Sequence, residues 1–127
     1  MAPRRLLALA FVGSAVRWAL LSRSTGAAAV AGLQLLHGLS FGIFWACATR
    51  ALADLVPPRL RATGQAVFTA IVFGGGNAAG YALSGIGYDR LGGVGPLFLA
   101  AAVAEVLALA VVLAPASRRA AVTARSP

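Results

Sequence analysis

At 127 residues, with 60% apolar side chains, 11% charged ones and a mean hydropathy of +0.85, the chain has too little polar surface for a soluble domain. Eleven arginines against three acids give a net charge of +8, but they flank apolar runs instead of forming one patch, which argues against nucleic-acid binding. One cysteine, Cys47, and one histidine, His37, leave no internal disulfide, metal-ligand spacing or nucleophile–base pair, so no enzyme activity, cofactor or metal is expected.

About 20 residues of helix, rising ~1.5 Å each, cross the ~30 Å hydrocarbon core of a bilayer. Four apolar segments come near or above that length, and helices are expected at about 6–22, 27–55, 65–86 and 94–114. The first is short, follows Arg4 and Arg5, and carries Arg17 and Trp18 near its far end. Its basic start and small residues at Gly13 and Ala15 also resemble a cleaved secretory signal. An uncleaved helix fits Arg17-Trp18 better, with Arg17 snorkelling to the interface beside the indole.

In the second segment Gln34, His37, Phe41, Phe44 and Ala48 recur at the spacing of one helical face. That face offers two hydrogen-bonding groups above two aromatic rings, as a cavity wall would. Polar side chains at membrane depth are costly enough to mark function, although His37 can also serve as packing glue on a neighbouring backbone. Gly38, Gly42 and Ala46 form a small-residue stripe, which predicts a helix contact.

Pro57-Pro58 ends this segment, since proline excludes a helical residue before it. Arg59 and Arg61 make the following loop basic, and Thr63 is the expected cap of the third helix. Within that helix Gly74-Gly75-Gly76 predict a weak or bent point. Asn77, Tyr81, Ser84 and Tyr88 share a face with Phe73, suited to a cavity or to interhelical bonding. Gly76, Gly80 and Ser84 form a second small stripe, and Gly85–Gly93 reads as a loop around Tyr88-Asp89-Arg90.

The fourth segment places Glu105 near its middle, the most expensive depth for a carboxylate. Three roles fit it: a proton relay, a neutral acid bonded to a neighbouring helix, or a partner for Arg17. The small, basic tail 116–127 is expected to be disordered and cytoplasmic. Eight arginines fall on the side of the two termini and the 50–61 region, against two in the alternate loops. This asymmetry predicts both termini in the cytoplasm, 22–26 and 88–93 outside, and a multi-pass inner-membrane protein.

Arg17-Trp18, Leu35-Leu36-His37-Gly38, the Pro57-Pro58-Arg59-x-Arg61-x-x-Gly64-Gln65 loop, the glycine-rich helix and Asp89-Arg90-x-Gly92 occur in that order. Together they resemble the C-terminal part of a major facilitator superfamily transporter, helices nine to twelve of twelve. The nearest resemblance is to the phenylpropionate permease, nucleoside and lactose-type proton symporter branch. It implies an all-α integral membrane fold, with residues 1–115 supplying four transmembrane helices to part of a C-terminal bundle. It also implies secondary-active, proton-coupled transport of a small organic solute by alternating access.

By that resemblance the helices bearing His37 and Asn77 line the central cavity, and the outer two face lipid. Gln34, His37, Phe41, Phe44, Asn77 and Tyr81 are then the substrate-binding candidates, His37 and Glu105 the proton-coupling candidates, with His37 expected to matter more. Arg59 and Arg61 belong to the cytoplasmic loop. Lactose-type symporters carry a glutamate one turn after this histidine, where Ser40 stands here, so proton coupling through this helix departs from the pattern. The expected partners are the bilayer, a small-molecule substrate and the remainder of a twelve-helix carrier, without which the chain is not expected to transport. The alternative is a self-standing four-helix protein acting as an oligomer, either exporter-like or a membrane assembly subunit whose basic tail binds anionic lipid.

Overall fold

A computed structural model describes residues 3–114; the tail at 116–127 lies outside the described residues. The chain forms α1 (Pro3–Leu21), α2 (Ala27–Leu55), a 3-10 turn (Pro58–Leu60), α3 (Arg61–Thr69), a π-helical segment (Ala70–Gly75), α4 (Gly76–Leu91) and α5 (Val94–Leu113). Among the described residues there is no strand. The turn, α3, the π segment and α4 run on as one helical rod, Pro58–Leu91.

Local chemistry explains the ends. Pro57 forces Val56 into extended backbone, at φ −103° and ψ 133°, and α2 stops there. Arg61 then reaches back and donates from Nε to the Ala53 carbonyl at 3.1 Å, satisfying an orphan acceptor of the helix end. At the far end of α4, Gly92 takes a left-handed φ of 79° and the Gly93 N–H donates to the Tyr88 carbonyl at 3.1 Å. That closure needs a residue without Cβ, which is why the helix stops at Gly92.

Two boundaries therefore differ from the sequence reading. The third helix runs from Arg61 to Leu91 instead of 65–86, because Gly85 and Gly87 keep helical geometry and only Gly92 and Gly93 adopt positive φ. Tyr88-Asp89-Arg90 is its last turn, not a loop. Thr63 is not the cap: the 3-10 turn feeds straight into α3, with Leu60 at the cap position and no side-chain capping bond.

α1 packs antiparallel to both α2 and α5 and lies between them, whereas the Pro58–Leu91 rod touches α2 near one end and α5 near the other. Arg4 at the start of α1 donates to the Val112 and Ala114 carbonyls, bringing its charge to the negative end of α5. Glycines make the close approaches. A Cβ on Gly13 would lie 3.4 Å from that of Ser40, one on Gly95 3.1 Å from the Ser22 carbonyl oxygen, and one on Gly87 2.9 Å from Leu97. The predicted stripes are not among these contacts: Gly38, Gly42 and Gly80 meet nothing within 4 Å in the described residues.

Burial is sparse. Ala10, Leu21, Ala102, Arg17 and Ser40 are buried, while leucines, valines and phenylalanines around every helix remain exposed. Helices apolar on all sides belong in lipid or in a larger bundle. Among the described residues three helices, Ala27–Leu55, Pro58–Leu91 and Val94–Leu113, are long and apolar enough to cross a membrane. α1, with 19 residues and Arg4, Arg5 and Arg17, is not among them; it packs against α2 and α5 and leaves Leu9, Val12, Val16 and Leu20 exposed.

Candidate substrate cavity

Ala10, Ser14 and Arg17 fall on one face of α1, three and four residues apart, which stacks them along a helix. The position of α1 between α2 and α5 turns this face toward both. There it borders a cavity of about 270 Å³, lined also by Phe11, Trp18, His37, Ser40, Phe41, Phe44 and Glu105. Of the Gln34–His37–Phe41–Phe44–Ala48 face, α2 brings His37, Phe41 and Phe44 to this cavity. His37 and Phe41 form an exposed rim, their rings 5.8 Å apart, and Phe44 meets Phe11 edge-on at 6.0 Å.

The polar groups are unevenly satisfied. Ser14 Oγ donates to Glu105 Oε1 at 2.7 Å. Ser40 Oγ turns back to the Leu36 and His37 carbonyls, so its hydroxyl is spent within α2. Arg17 is 5% exposed, holds its guanidinium 4.0 Å from the Trp18 ring centroid, and leaves Nε without any acceptor. Its side chain folds against Trp18 and into the cavity instead of extending free of the helices. Among the described residues the one ion pair is Arg50–Asp54 at 3.3 Å, exposed on the flank of α2.

Glu105 likewise departs from the lipid-facing position implied for its helix. The antiparallel pairing of α1 with α5 brings it onto Ser14 and into the same cavity as His37. Gln34, Asn77 and Tyr81 do not join this cavity; all three are exposed. Asn77 and Tyr81 lie where the Pro58–Leu91 rod has diverged from α2. Arg59 remains exposed beside the 3-10 turn, and Arg61 caps α2.

The rod meets α2 through aromatic rings. Trp45 lies 5.6 Å from Phe68 and 5.3 Å from Phe73, and Phe41 lies 6.2 Å from Phe73. Residues five apart on an α-helix point about 140° away from each other at 3.6 residues per turn. The wider π turn reduces that angle and lets both rings face Trp45. The widened turn thus closes within the glycine triplet, and the helix continues from Gly76 without interruption.

Long apolar helices border a largely apolar cavity that also carries Arg17, His37 and Glu105, and the sequence matches the MFS_1 like family over residues 1–100. The chain belongs to that family. No curated protein and no solved structure matches it. As a member of the MFS_1 like family the chain is a multi-pass membrane transport protein, and its helices are part of a major-facilitator bundle. Sequence reasoning had named His37, Phe41, Phe44 and Glu105 but not Ser14, and it had sent Arg17 elsewhere. The Ala10–Ser14–Arg17 spacing on α1 was the signal that could have found both.

Proposed function

We propose that this chain forms helices nine to twelve of a twelve-helix secondary transporter that moves a small organic solute by alternating access, coupled to protons. The observation that carries the reading is the cavity in which a carboxyl group, an imidazole and a guanidinium from three separate helices meet aromatic walls. Such groups are expensive inside a membrane bundle, and they accumulate where a solute or proton passes. The π turn next to this region supplies a place where one helix segment can turn relative to another. His37 and Glu105 are the proton-coupling candidates. Gln34, Asn77 and Tyr81, exposed here, suit the wall of a central cavity completed by the opposing half. The termini and the Arg59–Arg61 loop lie on the cytoplasmic side of the inner membrane by charge asymmetry.

The test is uptake. Proteoliposomes of the complete carrier, loaded with a pH-sensitive dye, should acidify when a transported organic acid is added. His37→Ala should abolish or strongly weaken uptake at matched protein levels. This chain reconstituted alone should carry nothing. Robust uptake by the chain alone would replace this reading with that of a self-standing oligomer.

A further inference from the structure

Where α2 ends and the Pro58–Leu91 rod begins, the two helices leave an apolar groove of about 440 Å³, lined by Leu52, Val56, Leu60, Val67, Phe68 and Ile71. Leu60, Gly64, Val67 and Ile71 follow at spacings of three and four, so one face of the rod supplies them. Gly64 brings that face against α2, since a Cβ there would lie 3.2 Å from Val56. Leu60, Val67 and Ile71 nevertheless stay exposed. From Leu60 to Ile71 the strip rises roughly 16 Å at ~1.5 Å per residue, about half of the ~30 Å hydrocarbon core. Past it, Phe73 closes on Trp45 at 5.3 Å and on Phe41 at 6.2 Å.

The mouth of this groove carries uncompensated positive charge. Leu60, which lines it, stands between Arg59 and Arg61 in the chain. Arg59 is exposed and enters no hydrogen bond or ion pair among the described residues. Arg61 gives Nε to the Ala53 carbonyl at 3.1 Å and is otherwise exposed. Asp54, the acid of this end of α2, pairs with Arg50 at 3.3 Å. Two guanidinium charges therefore border an apolar groove about one leaflet deep.

We infer that this groove holds one acyl chain of an anionic glycerophospholipid, whose phosphate is bound by Arg59 and Arg61. Charge sets the headgroup. Guanidinium groups pair their N–H donors with phosphate oxygens, and a zwitterionic lipid brings an ammonium group that the same arginines repel. Under the proposed orientation this turn meets the cytoplasmic leaflet, whose anionic lipids attract each nearby arginine. Length sets the tail. A further transmembrane helix would need a strip across the full ~30 Å, whereas this one ends after about half of it. Two-fold pairing of two copies through this face would set the arginines of one against those of the other. The bound lipid joins the end of α2 to the rod at the Pro57–Pro58 turn. The site needs only that these helices span a membrane and is independent of what the carrier moves.

Phosphatidylcholine nanodiscs holding the full chain test this, with rising fractions of either phosphatidylglycerol or phosphatidylcholine brominated along the acyl chains. Trp18→Phe leaves Trp45, 5.6 Å from Phe68 of the groove, as the sole tryptophan, and bromine quenches a tryptophan beside it. Brominated phosphatidylglycerol should quench Trp45 saturably, and at a lower fraction than brominated phosphatidylcholine. Arg59→Gln, which breaks no bond of the fold, should raise the fraction needed for half-maximal quenching about fivefold. Adding Arg61→Gln should bring the rise above about tenfold. Val67→Phe fills the groove and leaves the charges, so it should remove the preference; this separates a lipid tail from a headgroup or free phosphate held by the arginines alone. Arg90→Gln, at the far end of the rod, should leave the preference unchanged. Equal quenching by the two lipids, equal losses in Arg90→Gln and Arg59→Gln, or full preference in Val67→Phe would each overturn the site. No quenching by either lipid would show the groove covered by a helix or a second copy, and would overturn it too. Should Arg61→Gln loosen the end of α2, seen as lost helicity, Arg59→Gln and Val67→Phe decide alone.

Discussion

Ser14 on α1 donates a 2.7 Å hydrogen bond to Glu105 on α5, joining two helices through residues 91 apart in the chain. It places Glu105, on the most apolar helix of the chain, at the wall of the cavity, while Leu99, Val103, Val106, Leu107 and Val111 of the same helix stay exposed. Interhelical bonds of this kind contribute about 0.6 kcal/mol on average and up to about 1.7 kcal/mol. A double-mutant cycle with Ser14→Ala and Glu105→Ala, read by unfolding in mixed detergent, should return a coupling in that range. Glu105→Gln should cost less, since an amide oxygen still accepts from the serine. Zero coupling would mean that α1 and α5 do not meet at this pair.

Glycine substitutions should divide by what a Cβ would meet. On Gly95 it would sit 3.1 Å from the Ser22 backbone oxygen, which cannot swing aside. Gly95→Ala should therefore destabilise by about 1–3 kcal/mol through overpacking at the α1–α5 junction. Gly42 faces open space, so Gly42→Ala should be neutral or gain up to about 1 kcal/mol of helix propensity in this chain. Thermal unfolding of both variants checks the contrast, and similar shifts would contradict it.

Deleting Gly75 should convert the π segment to regular α-helix and turn α4 by about 100° against α3. Phe73 would then leave Trp45, and Gly87 would leave Leu97. Cysteines placed at positions 87 and 97 should cross-link readily in the parent chain and poorly in the deletion. Cross-linking of equal efficiency would show that the π turn does not set the rotation of α4.

Labelling fixes the topology. With Cys47 replaced by alanine, a cysteine at Ser24 should react with a membrane-impermeant reagent from outside, and one at Thr63 only after the membrane is opened. Ser24 lies in the turn between α1 and α2, and Thr63 is exposed in the first turn of α3. Equal labelling from one side would reject the arrangement.

Helices and their approximate positions were legible because lipid-spanning segments must be apolar for about 20 residues and prolines or paired glycines must interrupt them. The His37–Phe41–Phe44 wall was legible too, since a helical face follows from spacing alone. Less visible was the end of the third helix. Gly85, Gly87, Gly92 and Gly93 read alike in sequence, and only the backbone shows that the last two take positive φ.

Sequence by itself determined the class of molecule, the polar residues that lipid would make expensive, and the family resemblance carried by the loops. Tertiary structure alone decided which of those residues meet. Periodicity describes one helix at a time, whereas Ser14, Arg17, His37 and Glu105 share a cavity because α1 lies antiparallel between α2 and α5. The same placement buries Arg17, which a single helix would have let snorkel, and draws Glu105 inward from lipid. Rotation and partner of each helix come from packing between helices, where glycines at 13 and 95 permit approach and a widened turn at 70–75 brings Phe68 and Phe73 to bear on Trp45.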